Sequence, residues 1–210
     1  MSTTSLAHAE RNRLCDLALD VGAGAPTLSG EWTVKDLVVH MLVRERTLAS
    51  PGILVPALGG LVDRATQRLG RREFTDLVED LRRPRLTWAA LPVVDRLLNT
   101  AEYFVHHEDI RRAQPSWTAR DLTRAEQASL WRVVSTTGRG LVRPAGVPVL
   151  VRDAATGREV TLRRGSDPVL VVGPTSELLL MLFGRARVTG LEYGGPEERV
   201  RRFRAASLGI

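Results

Sequence analysis

The sequence predicts a mainly α protein in which a run of helices over residues 1–145 is followed by a small α+β domain over residues 146–210. Three observations point there. Apolar residues recur at helical spacing, with capping residues and breakers, through the first 145 positions. The pattern then changes to short Val-rich runs divided by turn signals. Finally, 210 residues with 43% hydrophobic content suffice for one large domain or two modest ones, each with its own core.

The elements follow in order. In "SLAHAERNRLCDLALDVG", Leu6, Leu14, Leu17 and Val21 share a helical stripe that stops at Gly22, and "GAGAP" continues as a loop. Cys15 lies inside that stripe as a small core residue. "WTVKDLVVHMLVRERTLAS" begins a second helix with Thr33 as N-cap and Asp36 at the third helical position, and Pro51 and Gly52 end it. Residues 53–70 are apolar with an ambiguous helical pattern. "REFTDLVEDLR" is a short amphipathic helix stopped near Pro84, and the longest helix runs from about Val93 to Pro115. Thr123 and Glu126 form a capping box for a further helix that ends before Pro144. Beyond a boundary near residues 142–147, "VPVLVRDAATGREVTLRRGSDPVLVVG" reads as a three-stranded meander. A helix at "PTSELLLMLFG", a strand at "ARVTGLEY" and a helix from Pro196 complete the chain.

Composition narrows the function. No apolar run is long enough to cross a bilayer and the N-terminus lacks an apolar signal core, so the expectation is a cytoplasmic protein without a membrane partner. A single cysteine excludes an intrachain disulfide. The net charge of +6 raises nucleic acid as a partner, but the basic residues are interspersed with carboxylates. Lys35 is the only lysine among 30 basic residues, a skew that arginine codons of a GC-rich genome produce without selection for phosphate. The expectation is therefore no nucleic acid, and a monomer or weak homodimer.

One stretch carries chemistry. In "NTAEYFVHHEDIRRA", taking Glu102 as zero at about 100° per residue, His106 lies near +40°, Asp109 near −20° and Asn99 near +60°. These four share one face, among Leu98, Val105, Ile110 and Ala113. By the same arithmetic His107, Glu108 and Arg111 point away, and His107 and Glu108 are expected in solvent. Burying a carboxylate and an imidazole among aliphatics is costly unless they are paired or bound to a metal. Glu102 and His106, one turn apart, suit either a hydrogen-bonded pair or two ligands of one ion. A third ligand has two candidates: His8 lies in a frayable first turn, which leaves His40 on the second helix, in a stripe with Asp36, Arg44 and Thr47 that also suits a solvent-facing strip. Asp109 either orients His106 or pairs with Arg112.

"TLSGEWTVKDLVVHMLVRE" and, some sixty residues later, "NTAEYFVHHEDIRRAQP" resemble the mycothiol-dependent maleylpyruvate isomerase family, a branch of the DinB-like metal-binding four-helix bundles. "GPTSELLLMLFGRARVTGLEYGG" is similar to the sterol-carrier-protein-like C-terminal domain of that family, and "EYFVHHEDIRRAQP" matches an uncharacterised subgroup. The resemblance implies zinc or another divalent metal on His40, Glu102 and His106. It also implies mycothiol as thiol cofactor and an electrophilic small molecule as substrate, in a transferase or isomerase reaction. Addition of the thiol to a cis double bond, rotation and elimination give isomerisation; another electrophile gives transfer. Arg44, one turn beyond His40, is the candidate cofactor-binding or anion-holding residue, with a surface ion pair as its other reading. The family isomerase also uses a C-terminal arginine, and nothing in the motif selects among Arg185, Arg187, Arg199, Arg201 and Arg202. The alternative function is a metal-binding sensor or stress-related scaffold without catalysis.

Overall fold

A computed structural model describes residues 5–48, 59–83 and 92–209. Six helices come first: α1 (Leu6–Val21), α2 (Val34–Leu48), α3 (Gly59–Gly70), α4 (Phe74–Arg82), α5 (Pro92–Ala113) and α6 (Arg124–Leu141). A small α+β part follows, with β1 (Val149–Asp153), β2 (Glu159–Arg163), β3 (Val169–Gly173), α7 (Thr175–Leu182), β4 (Glu192–Gly194) and α8 (Glu197–Ala205). This is the predicted class, a mainly α bundle and then an α+β domain. The helix stops assigned to Pro51, Gly52 and Pro84, and residues 53–58 of the ambiguous stretch, lie outside the described residues. Residues 59–70 of that stretch are helix α3. No helix among the described residues is long and apolar enough to cross a membrane.

Caps set the helix starts. Ser5 accepts from the backbone of His8 at the head of α1, and Thr33 and Asp36 exchange hydrogen bonds at the head of α2, at 3.0 and 3.3 Å. Thr123 and Glu126 do the same for α6. Each box satisfies amides that the first turn leaves without intrahelical partners.

Packing divides the chain into two compact units, Met1–Thr118 and Ala119–Ile210, earlier than the change in composition near residues 142–147. The reason is α6. It packs on α7 and β2, and Gly138 permits the approach: a Cβ there would stand 2.9 Å from Leu162 and 3.4 Å from Leu182. In the first unit, α1 lies against α4 and α5, and α2 against α3 and α4. Leu14, Cys15 and Ala18 from α1 meet Leu37, Val38 and Met41 from α2, with Leu77, Val78 and Leu81 from α4, in one buried core. The Cys15 thiol is pushed up to about 12 by burial, the behaviour of a core residue rather than a nucleophile.

In the second unit the strand order is β2-β1-β3-β4. The predicted meander is corrected here. β1 pairs antiparallel with β2 but parallel with β3, so β3 returns on the far side of β1. Burial explains the order. β1 and β3 bury alternate residues, whereas β2 is largely exposed and takes the edge. The strand expected over "ARVTGLEY" shortens to Glu192–Gly194, antiparallel to β3. All eight residues of α7 are buried.

Two glycines make opposite predictions. Gly195, between β4 and α8, has φ +110°, and a Cβ there would meet the Pro168 carbonyl oxygen at 2.6 Å. Gly195→Ala is expected to destabilise the protein by about 1–3 kcal/mol in urea denaturation. Gly140, near the end of α6, has nothing within 4 Å of an added Cβ, so Gly140→Ala is expected to be neutral or to stabilise by up to about 1 kcal/mol.

Candidate metal centre

α5 supplies most of the site, and its C-terminal half is buried on every side. Tyr103, Phe104 and Ile110 are core, and so are His107, Glu108 and Asp109. The expectation that His107 and Glu108 are solvated is therefore wrong. Helical angle assigns a direction but not what lies there, and α1 covers that side of α5. Each misassigned group finds a partner. His107 Nδ1 lies 2.8 Å from Glu10 Oε2, and Glu10 Oε1 accepts from Arg13 at 2.6 Å. Glu108 accepts from Arg112 at 2.5 Å and from Arg111 at 2.9 Å, and the Arg112 guanidinium stacks 4.7 Å from the Trp117 ring. Next to them Glu45 takes hydrogen bonds from Arg11 and Tyr103, whose hydroxyl burial pushes upward. Conversely Leu98, placed on the core arc by its angle, is 38% exposed.

On the other face, α2 and α5 meet through the side chains singled out by spacing. His40, Glu102 and His106 each offer one donor atom, and the three atoms lie within 4.8 Å of one another. His106 Nε2 is 3.4 Å from Glu102 Oε2, and the His40 and His106 rings meet edge to face at 5.4 Å between centroids. Ligands of tetrahedral zinc with bonds of about 2.0–2.2 Å stand roughly 3.3–3.6 Å apart. Glu102 and His106 are already at that separation. The donor set, two imidazoles and a carboxylate, fits a borderline divalent cation.

The remaining residues orient these three. Asp109, fully buried, points Oδ2 at His106 Nδ1 at 3.0 Å and accepts from the Ser29 hydroxyl at 2.9 Å. A proton held on Nδ1 leaves the Nε2 lone pair on the Glu102 side. Arg44 is partly buried, with Nε 3.4 Å from Glu102 Oε2 and Nη1 donating to Asn99 at 3.0 Å, so it belongs to the site rather than to an exposed ion pair. Trp32, 40% exposed, packs its ring on His40 at 4.9 Å. His8 is exposed at the head of α1 and takes no part.

Protonation follows the same contacts. Burial works to lower the His106 pKa but is outweighed by hydrogen bonds to Asp109 and Glu102, which raise it. For Glu102 burial works upward, and the His106 hydrogen bond with the Arg44 charge brings the pKa below the usual value. His40 is pushed down by burial and by His106.

Of the C-terminal arginines, Arg185 donates to the Phe183 carbonyl at 2.7 Å, Arg199 to the Asp167 carbonyl at 2.7 Å, and Arg201 pairs with Glu198. Each thus has a contact within its own unit. Ser29 and Trp32 are not among the residues that spacing singles out. Nothing local could show Ser29, because its partner is 80 residues away. Trp32 had one signal, an aromatic residue directly before the Thr33 cap.

No protein-family model matches the chain, and no curated protein matches it. Two solved structures do, both of the mycothiol-dependent maleylpyruvate isomerase, one of them a histidine-to-alanine mutant. Each aligns with a TM-score of 0.64 over 90% of both chains. The chain shares that isomerase's DinB-like fold. Identity is 15% with either, so the likeness is one of fold.

The pKa directions predict how the metal-free protein responds to pH. The raised His106 value gives stability that is full below 6.5, the ordinary histidine value, and is lost as pH rises through the folded pKa. The depressed Glu102 value gives stability present above 4.5 and lost as pH falls through its folded pKa. The difference in unfolding free energy between wild type and Glu102→Gln, measured with chelator present, is expected to peak between about pH 4.5 and 6.5 and to shrink above it.

Proposed function

We propose that the protein is a metal-dependent enzyme in which His40, Glu102 and His106 hold a divalent cation, zinc in our reading. The reaction we assign is transfer or isomerisation of an electrophilic small molecule by a thiol cofactor, mycothiol. The observation that carries the reading is the convergence of three donor atoms from α2 and α5 within 4.8 Å, with His106 oriented by Asp109.

Three protein ligands leave one position open, the pattern of catalytic rather than structural zinc sites. Two neutral imidazoles and one carboxylate leave a divalent centre with net charge +1, which favours an anionic partner. When bound, zinc supplies Lewis acidity that deprotonates a thiol whose free pKa is about 8.5. The chain's own residues do the rest. Asp109 fixes the ring nitrogen that His106 presents. Arg44 keeps a cation beside Glu102 and is the group we assign to an anionic part of cofactor or substrate. The exposed ring of Trp32 walls the His40 side. A fold shared with an isomerase that depends on mycothiol supports the choice of thiol, and "EYFVHHEDIRRAQP" supports placing the chain in a subgroup of that family.

Elemental analysis tests the metal. Wild type is expected to carry about one zinc equivalent, His106→Ala to lose it, and His107→Ala to keep it while losing about 1–3 kcal/mol of stability through its contact with Glu10. Metal retained in His106→Ala and lost in His107→Ala would sink the assignment. Zinc affinity is expected to rise with pH through the His106 titration, opposite to metal-free stability. Calorimetric titration with mycothiol tests the chemistry: binding that disappears with the metal is expected, and metal without thiol affinity makes the protein a non-catalytic metal binder.

A further inference from the structure

We propose that the loop of residues 26–33 is a clamp that holds both histidines of the site in ligand geometry, with Ser29 and Trp32 as its positioning residues. The metal part of this inference rests on the reading above. The clamp itself rests on contacts among the chain's own residues.

The loop is closed on itself. Pro26 bridges Thr33 in an antiparallel pairing, Thr27 Oγ1 donates to the Trp32 carbonyl at 2.9 Å and accepts from the Ser29 amide at 3.1 Å, and the Trp32 amide donates to the Ser29 carbonyl at 3.2 Å. From this frame it grips Asp109 twice. The Leu28 amide donates to the Asp109 carbonyl at 3.1 Å, and the Ser29 hydroxyl donates to Asp109 Oδ2 at 2.9 Å. The same oxygen faces His106 Nδ1 at 3.0 Å. A carboxylate oxygen fixed by Ser29 selects the tautomer protonated at Nδ1, so Nε2 is the nitrogen left to bind a cation.

Trp32, three residues on, performs the matching task for His40. Its ring lies 4.9 Å from the imidazole at 45° and restricts the rotation that would otherwise let either nitrogen face the site. One short loop thereby sets the orientation of a ligand on α2 and of another on α5.

The test uses the full-length protein in two forms. In metal-free protein at about pH 9, above the ordinary histidine range, long-range 1H–15N correlation NMR should report the His106 tautomer. It is expected to be protonated at Nδ1 in wild type, mixed in Ser29→Ala, and restored in Ser29→Thr, which keeps a hydroxyl. In zinc-loaded protein, competition with a chromogenic chelator should show Asp109→Asn weakening zinc roughly 10- to 100-fold. Ser29→Ala is expected to weaken it several-fold alone but to add nothing in the Asp109→Asn background, because it acts through Asp109. Trp32→Ala is expected to weaken zinc several-fold in both backgrounds, because it acts through His40.

An unchanged His106 tautomer in Ser29→Ala overturns the clamp, as does a Ser29→Ala effect that adds fully to Asp109→Asn. A wild-type protein without zinc affinity whose tautomer nevertheless depends on Ser29 overturns the metal reading and supports the clamp. Thermal melts of each variant separate unfolding from a loss of positioning, and a Ser29→Ala or Trp32→Ala that fails to fold is replaced by Ser29→Cys or Trp32→Leu, for which a shifted tautomer and a several-fold loss of zinc affinity, respectively, are expected and wild-type values overturn the clamp.

Discussion

Charge burial on α5 governs the N-terminal unit. Along four consecutive positions, His106 to Asp109, the helix carries only ionisable side chains, and each of those residues is buried. A buried charge without a partner costs several kcal/mol, so each position dictates what its neighbour must be. Glu10 on α1 answers His107, Arg112 answers Glu108, and Ser29 and His106 answer Asp109. The candidate metal cluster lies where this matching reaches the half-buried edge, at Glu102 and His40. There two imidazoles and a carboxylate converge, and a divalent cation would serve all three.

What could be read from the sequence follows from the range of the forces involved. Glu102 and His106 are one helical turn apart, and their shared face depends only on helix geometry, so spacing alone sufficed. Capping boxes at Thr33 and Thr123 are equally local. His107 and Glu108 were misplaced because solvent exposure depends on the neighbouring helix, and Glu10 lies 97 residues from His107. The same limit applies in the C-terminal unit. Val-rich runs declare strands, but the parallel pairing of β1 with β3 depends on which strands are apolar enough for the centre of the sheet, a comparison between elements. Helix α6 carries no local mark of its allegiance except Gly138, whose missing side chain makes room for Leu162.

Thiol chemistry, if it occurs here, must use a thiol from outside. The chain has one cysteine, and burial holds its proton to about 12, far above neutral pH. Its sulfur faces the Val78 carbonyl at 3.7 Å in the packed interior of α1 and α4. The cluster itself offers nitrogen and oxygen donors for a cation, with the Arg44 guanidinium beside Glu102.

The Ser29–Asp109 hydrogen bond also bears on how the protein folds. It closes a segment of 80 residues, and the entropy of bringing such distant positions together must be met before the contact contributes anything. Helices α2 to α4 lie between its ends, so their packing is the natural way to reduce that cost. Any form in which α5 has not docked would hold His40 without Glu102 and His106. Whatever cation the cluster could take would find its three donors together only once α5 is in place.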